Sequence, residues 1–141
     1  MQAFDKATTL SGNVHEAWNY KGYVFEEMGK KQEALESYTR AVQVKPDFFV
    51  ALNNKGLLLD TMGNHKEAIE EYDRALKIKP DFDAAWFNKA CAYALLSNEE
   101  NTLVSLRRAV ELNPQFKELA RKNPDLVIFG NNPEFKKLVG E

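Results

Sequence analysis

The sequence predicts an all-α protein, an α-α superhelix built from stacked antiparallel helix pairs. Three observations carry that prediction. Residue types recur every 34 residues: Phe4, Tyr38, Tyr72 and Leu106 form one column, Ala7, Ala41, Ala75 and Ala109 a second, and Pro46, Pro80 and Pro114 a third. Large and small residues within each unit are spaced by three and four, which places them on one helical face. Glycine and proline fall where the helices must stop.

Each element follows from these columns. In the first unit Trp18, Gly22 and Phe25 share a face, so a first helix is expected there. Its small residue lets the partner helix approach closely. Gly29 ends it, because a glycine accepts positive φ without a Cβ penalty. A second helix is expected over 31–44, with Ala34, Tyr38 and Ala41 as its inner stripe. Pro46 stops it. The second unit repeats the pattern with Leu52, Gly56, Leu59, Gly63, Ala68, Tyr72 and Ala75, and the third with Trp86, Ala90, Tyr93, Ser97, Thr102, Leu106 and Ala109. One helix pair cannot bury its apolar faces, so the pairs must stack into a continuous core.

The units are residues 15–48, 49–82 and 83–116. Residues 1–14 read as the second helix of a preceding unit that lacks its first helix, so the chain reads as a fragment. After residue 116 the period fails, and 117–141 is expected to form capping helices over the last open face. Asn132 and Pro133 suit the N-cap and first turn of a final short helix.

Composition limits function. Of 141 residues, 44% are hydrophobic and 28% charged, as in an ordinary soluble domain. The net charge of −2 argues against nucleic-acid binding. No apolar run approaches the ~20 residues that insert in a membrane. The single cysteine, Cys91, points to a reducing, cytoplasmic setting. His15 and His65 lie at different ends of their hairpins and are expected on the surface, so no metal site is foreseen. Cys91 has no histidine placed to activate it and reads as a packed residue. No catalytic residue, metal or cofactor is expected.

These columns resemble the tetratricopeptide repeat family. The first unit supplies Trp18, Gly22, Phe25, Ala34, Tyr38, Ala41 and Pro46 at the family's marked positions, and the later units supply their counterparts. The family's leucine at position 7 of the unit is Lys21, Lys55 and Lys89 here; a lysine stem can still cover apolar surface while its ammonium reaches water. The resemblance implies a concave groove lined by first helices, no catalysis, and a partner that is a protein or extended peptide. The groove positions it implies include Glu16, Asn19, Tyr20, Tyr23, Glu26 and Glu27, then Val50, Asn53, Asn54, Leu57, Asp60 and Thr61, then Ala84, Phe87, Asn88, Cys91, Ala94 and Leu95.

Two of the family's binding modes can be compared with these residues. The clamp for acidic C-terminal tails needs cations where this chain has Asn19, Ala84 and Asn88, and only Asn54 fits it. That mode is rejected, since a desolvated carboxylate would lack charge-assisted partners. An asparagine ladder gripping a peptide backbone fits Asn54 and Asn88, with Tyr20 as the departure. Solvated asparagines without a ligand are the other reading. Tyr20, Tyr23 and Phe87 read either as apolar anchors or as packing between first helices. The expected role is an interaction scaffold. The alternatives are self-association into a homo-oligomer through the half unit at Phe4, Ala7 and Leu10, or a non-catalytic arm of a larger protein or enzyme.

Overall fold

Local sequence rules decide where each helix begins and ends. A computed structural model of the chain describes residues 13–140. The half unit expected at 1–14, with Phe4, Ala7 and Leu10, lies almost wholly outside the described residues. The first pair is α1 (Val14–Glu27) and α2 (Lys31–Val44), the second α3 (Phe49–Thr61) and α4 (His65–Ile78), the third α5 (Asp83–Leu95) and α6 (Glu99–Leu112). Then come α7 (Phe116–Lys122), a 3-10 turn (Val127–Phe129) and α8 (Pro133–Leu138). No strand occurs among the described residues.

The turns behave as the punctuation predicts. Gly29 and Gly63 take φ of +76° and +85° just past the ends of α1 and α3. Ser97 holds the same left-handed turn at φ 60° after α5, where a Cβ costs about 1–2 kcal/mol.

The small residue of each first helix has a specific partner. A Cβ on Gly22 would lie 2.6 Å from the Tyr38 ring, and one on Gly56 would lie 2.5 Å from the Tyr72 ring. Both tyrosines are fully buried beside the alanine columns. Leucine replaces tyrosine in the third unit, as Leu106, and alanine replaces glycine, as Ala90. The two substitutions compensate: a narrower side chain on one helix admits a methyl group on the other.

A further column is missed by the sequence reading. Phe48, Phe82 and Phe116 close their units at the 34-residue step. Phe48 meets His15 edge-on at 4.9 Å, Phe82 meets Phe49 at 5.2 Å, and Phe116 stacks on Phe87 at 4.7 Å. His15 is therefore packed rather than on the surface. His65, half-buried, bonds to Asp60.

The position-7 lysines do more than shield apolar surface. Lys21 sits over Trp18 and Lys89 over Trp86, at 4.8 and 5.1 Å from the ring centroids. Such contacts are worth roughly 0.5–2 kcal/mol. Lys89 also meets Asp73 at 2.6 Å, and Lys55, which has no aromatic neighbours in its column, faces the buried Glu71 at 3.9 Å.

The tail keeps more of the period than its sequence suggests. Second helices start at 31, 65 and 99, and α8 starts at 133, one further step of 34. The Asn132 side chain accepts from the backbone N–H groups of Glu134 and Phe135, and Asn98 caps α6 through Asn101. Pro124 breaks the expected first helix, so α7 is short and the 3-10 turn fills the gap. Ala120, Leu126, Phe129, Phe135 and Val139 are buried against the third unit, in one core with Phe87, Leu103 and Leu106. This segment covers the end of the stack.

Candidate functional site

One face of the first helices stays solvent-exposed although much of it is apolar. On α1 the exposed stripe is Glu16, Tyr20, Tyr23 and Glu27, at steps of four, three and four. Tyr20 and Tyr23 stack at 6.2 Å with 27° between their planes. On α3 the stripe is Val50, Leu57 and Thr61, with Asn54 half-buried between them. Leu95 continues it on α5, above half-buried Ala84, Asn88 and Cys91. Tyr23 is 52% exposed and Leu57 41%. The other side of α3 already buries Ala51, Leu52, Leu58 and Leu59 in the core. Its outward leucine and valine lie outside that core. An open concavity of about 540 Å³ runs beside the stripe, lined by Asn19, Tyr20, Tyr23 and Asn54 among others.

The asparagines at the base of this face pair with one another. Asn54 donates to Asn19 at 3.0 Å, and Asn88 donates to Asn53 at 3.0 Å. Position 6 of one unit thus bonds position 5 of the unit before it. The series runs from Asn19 to Asn88, and aromatic residues hold the two outer positions, Tyr20 and Phe87. The signal in the sequence is a recurrence at 35 rather than 34 residues, which a search of aligned columns passes over. Each pair uses one N–H and one carbonyl, so each amide keeps further donor and acceptor capacity. Asn53 is buried; Asn19, Asn54 and Asn88 are half-buried and border the exposed stripe. Phe87 is buried under Phe116 and belongs to the core that closes the stack.

Glu26 and Asp60, placed among the groove residues by the family resemblance, take a structural role. Each accepts the hydroxyl of its unit's second-helix tyrosine: Tyr38 donates to Glu26, and Tyr72 donates to Asp60 at 2.6 Å. Asp60 also bonds His65 Nδ1 at 2.8 Å. The third unit has Leu106 for the tyrosine and Ala94 for the acid, so donor and acceptor disappear together. Burial and the adjoining carboxylate raise the pKa of both tyrosine hydroxyls, which remain donors. Burial also raises the Asp60 pKa, against the opposing pull of the Tyr72 and His65 hydrogen bonds.

That shift makes a prediction with a definite sign. Between the ordinary carboxyl value of 3.8 and the raised folded value, the folded state holds the Asp60 proton more tightly than the unfolded chain does. Stability from this group therefore falls as pH rises through that window, and the deficit is complete above it. Asp60→Asn keeps an acceptor for Tyr72 and cannot ionise. Urea unfolding across pH should show wild type losing stability relative to the variant as pH climbs from below 3.8. A difference that is flat with pH would contradict the assignment.

The cysteine is not an activated thiol. Burial pushes the Cys91 pKa up to about 12, and the charges of Asp125 and Asp60 add to the rise. No group of three or more potential metal ligands occurs among the described residues. Among the same residues no helix is long and apolar enough to cross a membrane.

The chain belongs to the tetratricopeptide repeat family. Tetratricopeptide repeat profiles match residues 15–48, 49–82 and 83–116. No curated protein matches the chain in sequence. Solved structures are similar. A MamA protein shares 26% identity at a TM-score of 0.72 over 83% of this chain, which spans 64% of that chain's length. The first tetratricopeptide domain of Spaghetti (RPAP3), solved with the HSP90 peptide SRMEEVD, has 19% identity and a TM-score of 0.71, covering 89% of this chain and 90% of its own. YrrB, described as a tetratricopeptide protein with an unusual peptide-binding site, has 22% identity and a TM-score of 0.69, covering 91% of this chain and 62% of its own.

Proposed function

We propose that the exposed face of α1, α3 and α5 is a binding groove for an extended segment of a partner protein, and that the chain is an interaction scaffold without catalysis. One observation carries this reading. Tyr20, Tyr23, Val50, Leu57 and Leu95 line up on the first helices and stay exposed, while the same helices bury a separate apolar side in the core. Exposed apolar side chains grouped on one face mark interaction sites when they form a continuous patch. The half-buried Asn19, Asn54 and Asn88 beside it can offer their remaining amide groups to a peptide backbone. The peptide-binding sites of the RPAP3 and YrrB structures give support by analogy. A groove assembled on rigid stacked helices also costs little to order on binding. A cytoplasmic setting is part of this reading, supported by a single cysteine in a chain of this length.

The test is selection of a random twelve-residue peptide library on the intact protein, followed by binding to Tyr23→Ser/Leu57→Ser. Both side chains project outward, so helix content and melting temperature should stay near wild type. Binding should weaken at least tenfold, about 1.4 kcal/mol. Selected peptides that bind the double variant as well as wild type would place the site elsewhere.

A further inference from the structure

On the reading that this face is a peptide groove, we propose that its ligand carries a lysine or arginine side chain seated on Tyr20 and Tyr23, next to an aliphatic residue seated on Leu57. The argument starts from the charges around the apolar stripe. Glu16 and Glu27 are exposed and lie one turn before Tyr20 and one turn after Tyr23 on the same face of α1. Glu16 and Glu27 are about 16 Å apart along the axis, so a cation over the tyrosine rings would sit between them, about one and a half turns from each carboxylate.

The basic groups around this face have other contacts: His15 lies 3.9 Å from Glu16, and Lys21 lies over the Trp18 ring. Lys55 and Lys89 sit beside Glu71 and Asp73 on α4. At the far end Arg121 donates to the Val139 carbonyl and Lys122 pairs with Glu118. Among the described residues at the groove positions of α1, α3 and α5 there is no lysine, arginine or histidine. An acidic ligand would find no counter-charge in that stretch.

The aromatic surface adds a second, independent preference. Two stacked tyrosines present π faces, which attract ammonium and guanidinium groups. The same chemistry recurs inside the protein, where Lys21 lies over Trp18 and Phe25, and Lys89 over Trp86 and Tyr93. Glutamates on both sides of an aromatic pair make a site for a cation with an apolar stem, which is what lysine and arginine carry. Leu57, one repeat along, takes the aliphatic neighbour. An extended peptide alternates its side chains, so two residues on one side reach two adjacent helices.

The experiment uses the same random twelve-residue library, and each enriched peptide remade with glutamine in place of its lysines and arginines. Enriched peptides should pair lysine or arginine with an aliphatic residue, and their glutamine versions should bind at least tenfold more weakly. Glu16→Gln/Glu27→Gln should weaken the enriched peptides about tenfold and flatten their salt dependence. Glu67→Gln/Glu70→Gln, on the exposed side of α4, should change neither. Tyr20→Leu/Tyr23→Leu keeps apolar area but loses the π faces, and should favour neutral over basic peptides. Enrichment of neutral or acidic peptides, or basic peptides indifferent to Glu16→Gln/Glu27→Gln, would overturn the charge proposal. Loss of those same peptides on Tyr23→Ser/Leu57→Ser would then leave the groove reading standing. No enrichment over the bare support, or enrichment insensitive to Tyr23→Ser/Leu57→Ser, would overturn both.

Discussion

Gly56→Leu should cost about 3 kcal/mol or more in urea unfolding, at the upper end of what overpacking a core does. Even the first added carbon has no room. A Cβ at this position falls 2.5 Å from Tyr72 Cε1 and 2.8 Å from Cδ1. The ring cannot swing away cheaply, because Tyr72 is fully buried and its hydroxyl is tied to Asp60 at 2.6 Å. The third unit indicates how the strain can be relieved. It combines Ala90 with Leu106, and it has Ala94 where the second unit has Asp60. Gly56→Ala alone should therefore destabilise. Combined with Tyr72→Leu and Asp60→Ala, it should cost less than the sum of its parts by about 0.5–3 kcal/mol, the range for residues in direct contact. Strict additivity would mean that the glycine is not held small by the tyrosine. Gly22 against Tyr38 should behave in the same way.

Asn88→Ala should cost more than Asn54→Ala, although the two residues occupy the same place in successive units. Each donates one 3.0 Å bond to the unit before it. The difference lies in the acceptor. Asn53 is buried, so removing Asn88 leaves its carbonyl without a partner or water, at about 1–3 kcal/mol. Asn19 is half-buried and can turn to solvent, so the loss of Asn54 should cost about 1 kcal/mol or less. Asn53→Ala in the Asn88→Ala background should return part of the stability, since removing both partners is close to neutral. These bonds join units, so Asn88→Ala should also broaden the unfolding transition of a stack held by neighbour contacts. Equal losses in the two single variants would contradict the burial argument. From sequence alone, removing both Asn54 and Asn88 is expected to spare the fold; the pairing shows that it also weakens the joints between units.

Much of this architecture is legible before any coordinates. The helix starts and stops follow from Gly29, Gly63, Pro46 and Pro80, because backbone conformation is a local property. The buried columns follow from spacing, because a helix turns through a set angle per residue. The groove placement of Tyr20, Tyr23 and Leu57 comes from the family resemblance, which left the two tyrosines open between anchors and packing; all three are exposed. The roles of Glu26 and Asp60 do not, because their tyrosine partners lie 12 residues away on another helix. The final helix is hidden in another way. Its start keeps the repeat step at 133, but Pro124 interrupts the first helix that would have revealed the unit.

The sequence by itself determined the period, through columns 34 residues apart, and the helix pairs and the side of each helix that packs, which depend on residues within a few turns of one another. Only the tertiary structure decided which polar groups satisfy each other. Asn54 and Asn88 find their partners 35 residues back, and Asn132 reaches Glu99 across 33. Those pairings depend on how one hairpin rotates against the next, and that rotation is set by the packed core as a whole rather than by any local run of residues.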